Sequence, residues 1–291
     1  MAASGTLPTG FGELEVLAVG TVLLVEALCG LSLNSLTIIS FCKIPELRTP
    51  SHLLVLSLAL ADSGLSLNTL VAAASSLLWR WPYGSGGCQA HGFQGFVTAL
   101  ASISGSAAIA WGRHQHYCTR SQLAWSTAIP LVLFVWLSST FWAALPLLGW
   151  GHYDYEPLGT CCTLDYSKRD RNSTSFLFTM AFFSFLVPLF ITFTSYQLME
   201  QKMARNSSLQ MNTSLPARTL MFCWGPYALL HLYATIADAS SLSPKLQMVP
   251  ALIAKTVPTI NAIAYALGSE MGSRGPWKCL SLQRSKWKRA Q

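Results

Sequence analysis

One basic residue stands where a membrane-crossing sequence should carry none. Met248–Leu267, MVPALIAKTVPTINAIAYAL, is apolar over about the length a helix needs to span a bilayer, and Lys255 interrupts it near the middle. An ammonium at that depth costs roughly 2.5–3.5 kcal/mol on insertion scales. Lys255 is also too central to snorkel easily to either interface. It must face a cavity, hold a counter-ion or be changed covalently. The plainer reading is a lysine paired with a neighbouring helix to specify packing. The chemical reading is an amine whose charge its surroundings control and which forms a Schiff base with a carbonyl compound. Two more ionisable residues, Glu26 and Asp62, lie in apolar runs. Asn34 and Asn261 are the expected partners of Asp62, in a knot that either fixes helix packing or holds an ion or proton. Glu26 has no evident partner.

The elements that position these groups are membrane helices. Of the 291 residues 52% are hydrophobic and 11% charged, against about 25% charged in soluble domains. Seven apolar spans are predicted, at Val16–Phe41, Leu53–Leu78, Gln89–Tyr117, Ala124–Gly149, Phe176–Met199, Ala217–Ala239 and Leu246–Gly268. This is an all-α membrane protein, a seven-helix bundle occupying 16–268, with a short outer tail, 1–15, and a basic cytosolic tail, 269–291. Span three, rich in Gly, Ser and Ala, suits a helix crowded on all sides. Pro130, Pro146, Pro188, Pro226, Pro250 and Pro258 lie within spans and are expected to kink them. No basic residue precedes Lys43, so an uncleaved signal anchor is expected rather than a cleavable signal peptide.

Charge orients the bundle. With the N-terminus outside, Lys43, Arg48, Arg113, Arg120, Lys202, Arg205, Arg218 and the basic tail fall on the cytosolic side. Arg80, Lys168, Arg169, Arg171 and Lys245 fall outside. That asymmetry follows the positive-inside rule and accounts for the net charge of +7 without a nucleic-acid partner. Cys88 precedes span three on the outer side, and Cys161 and Cys162 lie in the outer loop after span four. A bridge there would pin the loop over the bundle mouth and leave one of the adjacent pair over. Asn172-Ser-Thr is an outer glycosylation sequon, whereas the sequons at Asn206 and Asn212 face the cytosol and should stay unmodified. No metal site is expected.

The motifs, in order and spacing, resemble the rhodopsin-like seven-helix receptors, and within them the opsins. Gly30-Leu-Ser-Leu-Asn34 resembles the first-helix asparagine motif and Leu58-Ala-Leu-Ala-Asp62 the second-helix aspartate motif. Cys88 matches the cysteine at the top of helix three, Trp136 the fourth-helix tryptophan, and Pro188 with Tyr196 the fifth-helix pair. Cys223-Trp224-Gly225-Pro226-Tyr227 resembles the sixth-helix aromatic hinge, and Ala254-Lys255-Thr256 the opsin chromophore site. The resemblance implies retinal bound at Lys255 as a Schiff base, Trp224 and Tyr227 lining its pocket, and a Cys88–Cys162 disulfide. Gly159–Tyr166 and His91 resemble the retinochrome-like photoisomerases among opsins.

The departures from the family pattern carry information. Visual opsins place a carboxylate three residues after the helix-three cysteine, as counter-ion; here that position is His91. Neutral histidine supplies no negative charge and a cationic one repels another cation, so His91 is read either as a satisfied histidine near the interface or as a proton acceptor or tuner of the Schiff base, the latter favoured by its place. Glu156, six residues before Cys162, matches the outer-loop glutamate that serves many non-visual opsins. At the cytosolic end, Gly112-Arg113-His114 lacks the acid that usually precedes the arginine, and Asn261-Ala-Ile-Ala-Tyr265 has alanine where the family has proline. These changes weigh against a G-protein partner.

The expected function is photoisomerisation of all-trans-retinal to 11-cis-retinal. Retinal, the lipid bilayer and retinoid-handling proteins are the expected partners. By resemblance, the site is a plasma or endoplasmic-reticulum-like membrane of retinal support cells. The alternatives are a light-activated receptor signalling through a G protein, and a retinoid-binding membrane protein without turnover.

Overall fold

The structure, a computed structural model, describes residues 11–166, 170–204, 219–237 and 242–267. The basic tail 269–291, the sequons at Asn206 and Asn212 and the basic residues Lys168, Arg169, Arg205 and Arg218 lie outside the described residues.

Spans one to four are Glu13–Lys43, Pro50–Leu77, Gly84–His114 and Trp125–Ala144. Span five comprises Arg171–Ala181, a π-turn at Phe182–Leu186, and Val187–Ala204. Span six has a π-turn at Leu220–Trp224 followed by Gly225–Ile236. Span seven is split into Pro244–Lys255 and Val257–Leu267. Among the described residues, spans one to five are each long and apolar enough to cross a membrane, and Leu220–Ile236 is a shorter apolar helix.

Capping explains where the helices begin. Hydropathy alone starts spans two, five and seven too late, because their first turns are polar. Thr49, Asp170 and Ser243 each accept a hydrogen bond from the backbone N–H three residues on, which satisfies an orphan donor at the helix start. Pro50 and Pro244 follow two of these caps, where a missing N–H is tolerated. Hydrogen bonds from Ser173 hold the Asp170 carboxyl below its usual range.

Proline explains where the helices change. A helical proline lacks its N–H and crowds the carbonyl four residues back. Two of the three π-turns among the described residues lie just ahead of one, Pro188 in span five and Pro226 in span six, whereas the third, Gln115–Thr119 at the end of span three, has none. In span seven the break falls at Thr256, two residues before Pro258. There the Thr256 hydroxyl donates to the Ile253 carbonyl at 2.7 Å. Lys255 therefore ends a half-helix instead of sitting within an unbroken one.

Span three is the central post, touching spans two, four and five and the outer hairpin. Buried residues make up 67% of its apolar window, against 22% in span four. The small residues seen in its sequence permit this crowding. Gly92 is the clearest case: a Cβ there would lie 2.6 Å from the Tyr153 ring.

Between spans four and five the outer loop folds into an antiparallel hairpin, β1 (Tyr153–Tyr155) and β2 (Cys162–Leu164), with Tyr155 opposite Cys162. Tyr153 and Leu164 face the core, and the Tyr153 hydroxyl donates to the Ala143 carbonyl at 2.7 Å. The disulfide joins Cys88 to Cys162, tying the hairpin to span three.

Candidate functional site

The hairpin register assembles the site. Beyond the Tyr155–Cys162 pair, the Glu156 N–H donates to the Cys161 carbonyl at 2.9 Å, so these two residues face each other across the strands. Gly159, at φ +70°, supplies the left-handed turn that closes the connection. Side chains alternate along a strand. Cys162 therefore points to span three, while Cys161 and Thr163 point the other way, toward spans six and seven. Thr163 shares a 2.8 Å hydrogen bond with the Tyr227 hydroxyl. Cys161 receives the Lys255 ammonium at 3.7 Å.

The Lys255 ammonium also lies 3.6 Å from a carboxylate oxygen of Glu156, with side-chain exposures of 10% and 9%. Opposite charges at that distance in a dry site couple far more strongly than at the surface. The depth penalty on Lys255 is thus offset by an anion delivered from the loop. Cys161 is a free thiol, and burial first, then the nearby Glu156, pushes it up to about 12, so it stays neutral beside the pair. Sequence reading placed Glu156 and Lys255 together but left Cys161 as a spare. Its signal was the period-two alternation from Cys162.

These groups lie on one wall of a cavity of about 90 Å³. Its other walls are mainly apolar and aromatic, with Trp224, Tyr227, Phe96 and Phe185 among them. Trp224 and Tyr227 meet edge-on, with ring centroids 6.4 Å apart. An apolar chamber bounded by an amine and a carboxylate has the chemistry to receive a hydrophobic aldehyde.

His91 is buried but is not on the cavity wall. Its Nδ1 lies 3.0 Å from the Cys162 carbonyl and its Nε2 3.1 Å from the Asn68 carbonyl. It therefore joins span three to the hairpin and to span two. A neutral imidazole carries one N–H, so both contacts are hydrogen bonds only when the ring is cationic. Asn68 completes the joint, donating to the His91 carbonyl at 2.9 Å and to Gln94 at 2.8 Å. Neither Asn68 nor Gln94 was singled out from sequence.

Deeper in the bundle, Asp62 is wholly buried. It accepts from Ser102 at 2.6 Å and from Asn261 at 3.0 Å. The expected trio is thereby revised. Ser102 takes the third place, while Asn34 donates to the carbonyls of Gly30 at 2.9 Å and Pro258 at 3.1 Å. Asn34 thus ties span one to the second half of span seven. Arg113 lies over the Tyr265 ring, 5.1 Å from its centroid. Trp136 donates to Ser57 at 3.0 Å.

Asn172 lies in the first turn of span five, and its side chain is in use. It donates to the Gly149 carbonyl at 2.6 Å and accepts from the Gly151 N–H at 3.2 Å. One group outside the expected set is His152, Asp154 and Asp165, whose ligand-capable atoms lie within 4.8 Å of one another. His152 and Asp165 already pair at 2.5 Å.

A seven-span bundle with a mid-membrane lysine under a disulfide-anchored hairpin defines a class. The chain belongs to the 7 transmembrane receptor (rhodopsin family), whose pattern matches residues 33–265. Within that class it is similar to the RPE-retinal G protein-coupled receptor of Bos taurus, with 79% identity over the full length of both chains. The Homo sapiens protein of that name is 80% identical over 98% of each chain. The crystal structure of squid rhodopsin superposes with a TM-score of 0.79 at 23% identity, covering 89% of this chain and 83% of that one. That likeness speaks for the fold.

Proposed function

We propose that this opsin-family membrane protein binds all-trans-retinal through a Schiff base at Lys255 and photoisomerises it to 11-cis-retinal. The observation that carries the reading is the Lys255–Glu156 pair, 3.6 Å apart on the wall of an apolar, aromatic cavity. The relatives named for retinal support the choice of ligand. When bound, retinal supplies the light absorption and the double bond that turns.

The chain's own residues do the rest. Glu156 holds the positive charge at Lys255 and accepts its proton when the amine must act as a nucleophile. Cys161 contributes a neutral, polarisable neighbour. Thr163 and Tyr227 lock the hairpin to span six, which fixes the roof of the cavity. Trp224 and Phe185 shape the apolar chamber that selects which bond has room to rotate. The retinal support cell membrane and retinoid-handling partners belong to the same proposal.

The test is to load the purified protein with all-trans-retinal, illuminate it, and extract the isomers. Accumulation of 11-cis-retinal is expected. Retinal that stays bound and unchanged contradicts the photoisomerase and leaves a retinoid-binding protein.

A further inference from the structure

The cavity has polar atoms at a second place. His231, one turn beyond Tyr227 on span six, is 1% exposed, and neither ring nitrogen has a hydrogen-bond partner. Ser184, in the π-turn of span five, is also buried with its hydroxyl unpartnered. Both side chains line the cavity that Lys255 faces.

Several buried hydroxyls elsewhere satisfy themselves by donating to the carbonyl four residues back. Ser66, Thr69, Ser139 and Thr192 do so at 2.8, 2.9, 2.7 and 2.8 Å. Ser184 lies four residues before Pro188, inside the turn that proline distorts, and makes no such bond. The hydroxyls of Ser75, Thr259, Tyr196 and Tyr265 are also unpartnered, but away from this cavity. His231 is held edge-on by two rings, Tyr166 at 5.2 Å and Tyr227 at 4.4 Å between centroids. Its plane is therefore fixed before any ligand arrives. The neighbouring wall residues Phe96, Leu100, Met180 and Ala181 offer no side-chain partner.

A neutral imidazole presents one donor and one acceptor, and a hydroxyl one donor and two acceptors. Buried polar groups of this kind are satisfied in folded proteins, by protein, water or ligand. Lys255, Glu156 and Cys161 come from span seven and the hairpin, whereas His231 and Ser184 come from spans six and five. We propose that His231 and Ser184 form a second polar subsite of this cavity, for an oxygen-bearing group on the ligand other than its aldehyde. The preferred ligand is then a retinoid aldehyde with a hydroxyl on its ring. The inference rests on the retinal reading above. A hydrocarbon ring leaves both side chains unmet, and sites built to hydrogen-bond a hydroxyl discriminate against analogues that lack it.

The test is a competition. The full chain is offered equal concentrations of all-trans-retinal and its 3-hydroxy or 4-hydroxy analogue. The adducts are reduced with borohydride, and the labelled Lys255 peptides are counted by mass spectrometry. A preference of roughly 3- to 10-fold for a hydroxylated aldehyde is expected, the range one net hydrogen bond provides. Ser184→Ala should reduce it and His231→Phe should abolish it. Ser184→Ala deletes a single oxygen, so the outcome does not hang on whether the His231 variant folds. A ratio near one in the wild type overturns the subsite and leaves the retinal reading intact, as does a preference that survives both substitutions. Failure of every aldehyde to label Lys255 overturns the retinal reading and the subsite with it.

Discussion

The outer and inner halves of the bundle are built to different standards. In the outer half a disulfide, a two-stranded hairpin and a histidine joint converge on one amine. Glu156, Cys161 and Tyr227 are all placed through the hairpin. In the inner half the family's signalling positions are altered. Arg113 lies over an aromatic ring, and the kink of span seven sits at Thr256 rather than in the Asn261–Tyr265 motif. Asp62 is held by Ser102 and Asn261, across spans two, three and seven. The contrast teaches that one bundle holds a tightly organised outer chamber beside an inner face whose Asp62 and Arg113 are met within the bundle.

Substitutions sharpen or break this contrast. The largest effect is expected from Lys255→Ala, which should abolish covalent retinal while the bundle still folds, because it removes the nucleophile and a buried charge together. Borohydride trapping with peptide mapping reads it, and label at another lysine would contradict the assignment. Cys88→Ser or Cys162→Ser should come next. Releasing a long-loop disulfide costs about 2–4 kcal/mol, seen as lower thermal stability and lower retinal uptake, whereas Cys161→Ser should spare the fold.

Glu156→Gln is expected to keep attachment but change its charge state. Without the anion the cationic form is disfavoured, so at neutral pH the near-ultraviolet band should grow at the expense of the visible one. An unchanged absorbance titration would move the counter-ion role elsewhere, with Glu26 on span one, whose Oε2 is buried and unpartnered, the next carboxylate to replace. Tyr227→Phe should cost about 1 kcal/mol, a single net hydrogen bond, through release of Thr163. The smallest effect belongs to the inner half. Arg113→Ala should leave retinal uptake within about twofold, since it shares no partner with the outer site. A large loss there would show that the halves are coupled.

Much of the outer site was legible because it breaks local rules. Lys255 announces itself as a charge in an apolar run, and charge asymmetry orients the spans. Glu156 came through the resemblance, since nothing in a loop glutamate alone says that it will reach span seven. Cys161 was missed because its role depends on hairpin register, which spacing alone does not specify. The helix starts were missed by a few residues because caps are polar and hydropathy sees only the apolar stretch. His231 and Ser184 were invisible, because a lone histidine or serine on an apolar helix is ordinary until the cavity shows that nothing meets it. Asn34 was placed with Asp62 because both are polar at membrane depth; its amide instead reaches the backbone carbonyls of Gly30 and Pro258.

The most direct test compares both halves in one sample. The protein is reconstituted with all-trans-retinal and a G protein, illuminated, and assayed for 11-cis-retinal formed per guanine nucleotide exchanged. The account predicts steady accumulation of the 11-cis isomer with exchange at the dark level. Light-driven exchange without net 11-cis-retinal would contradict it and make the chain a signalling receptor.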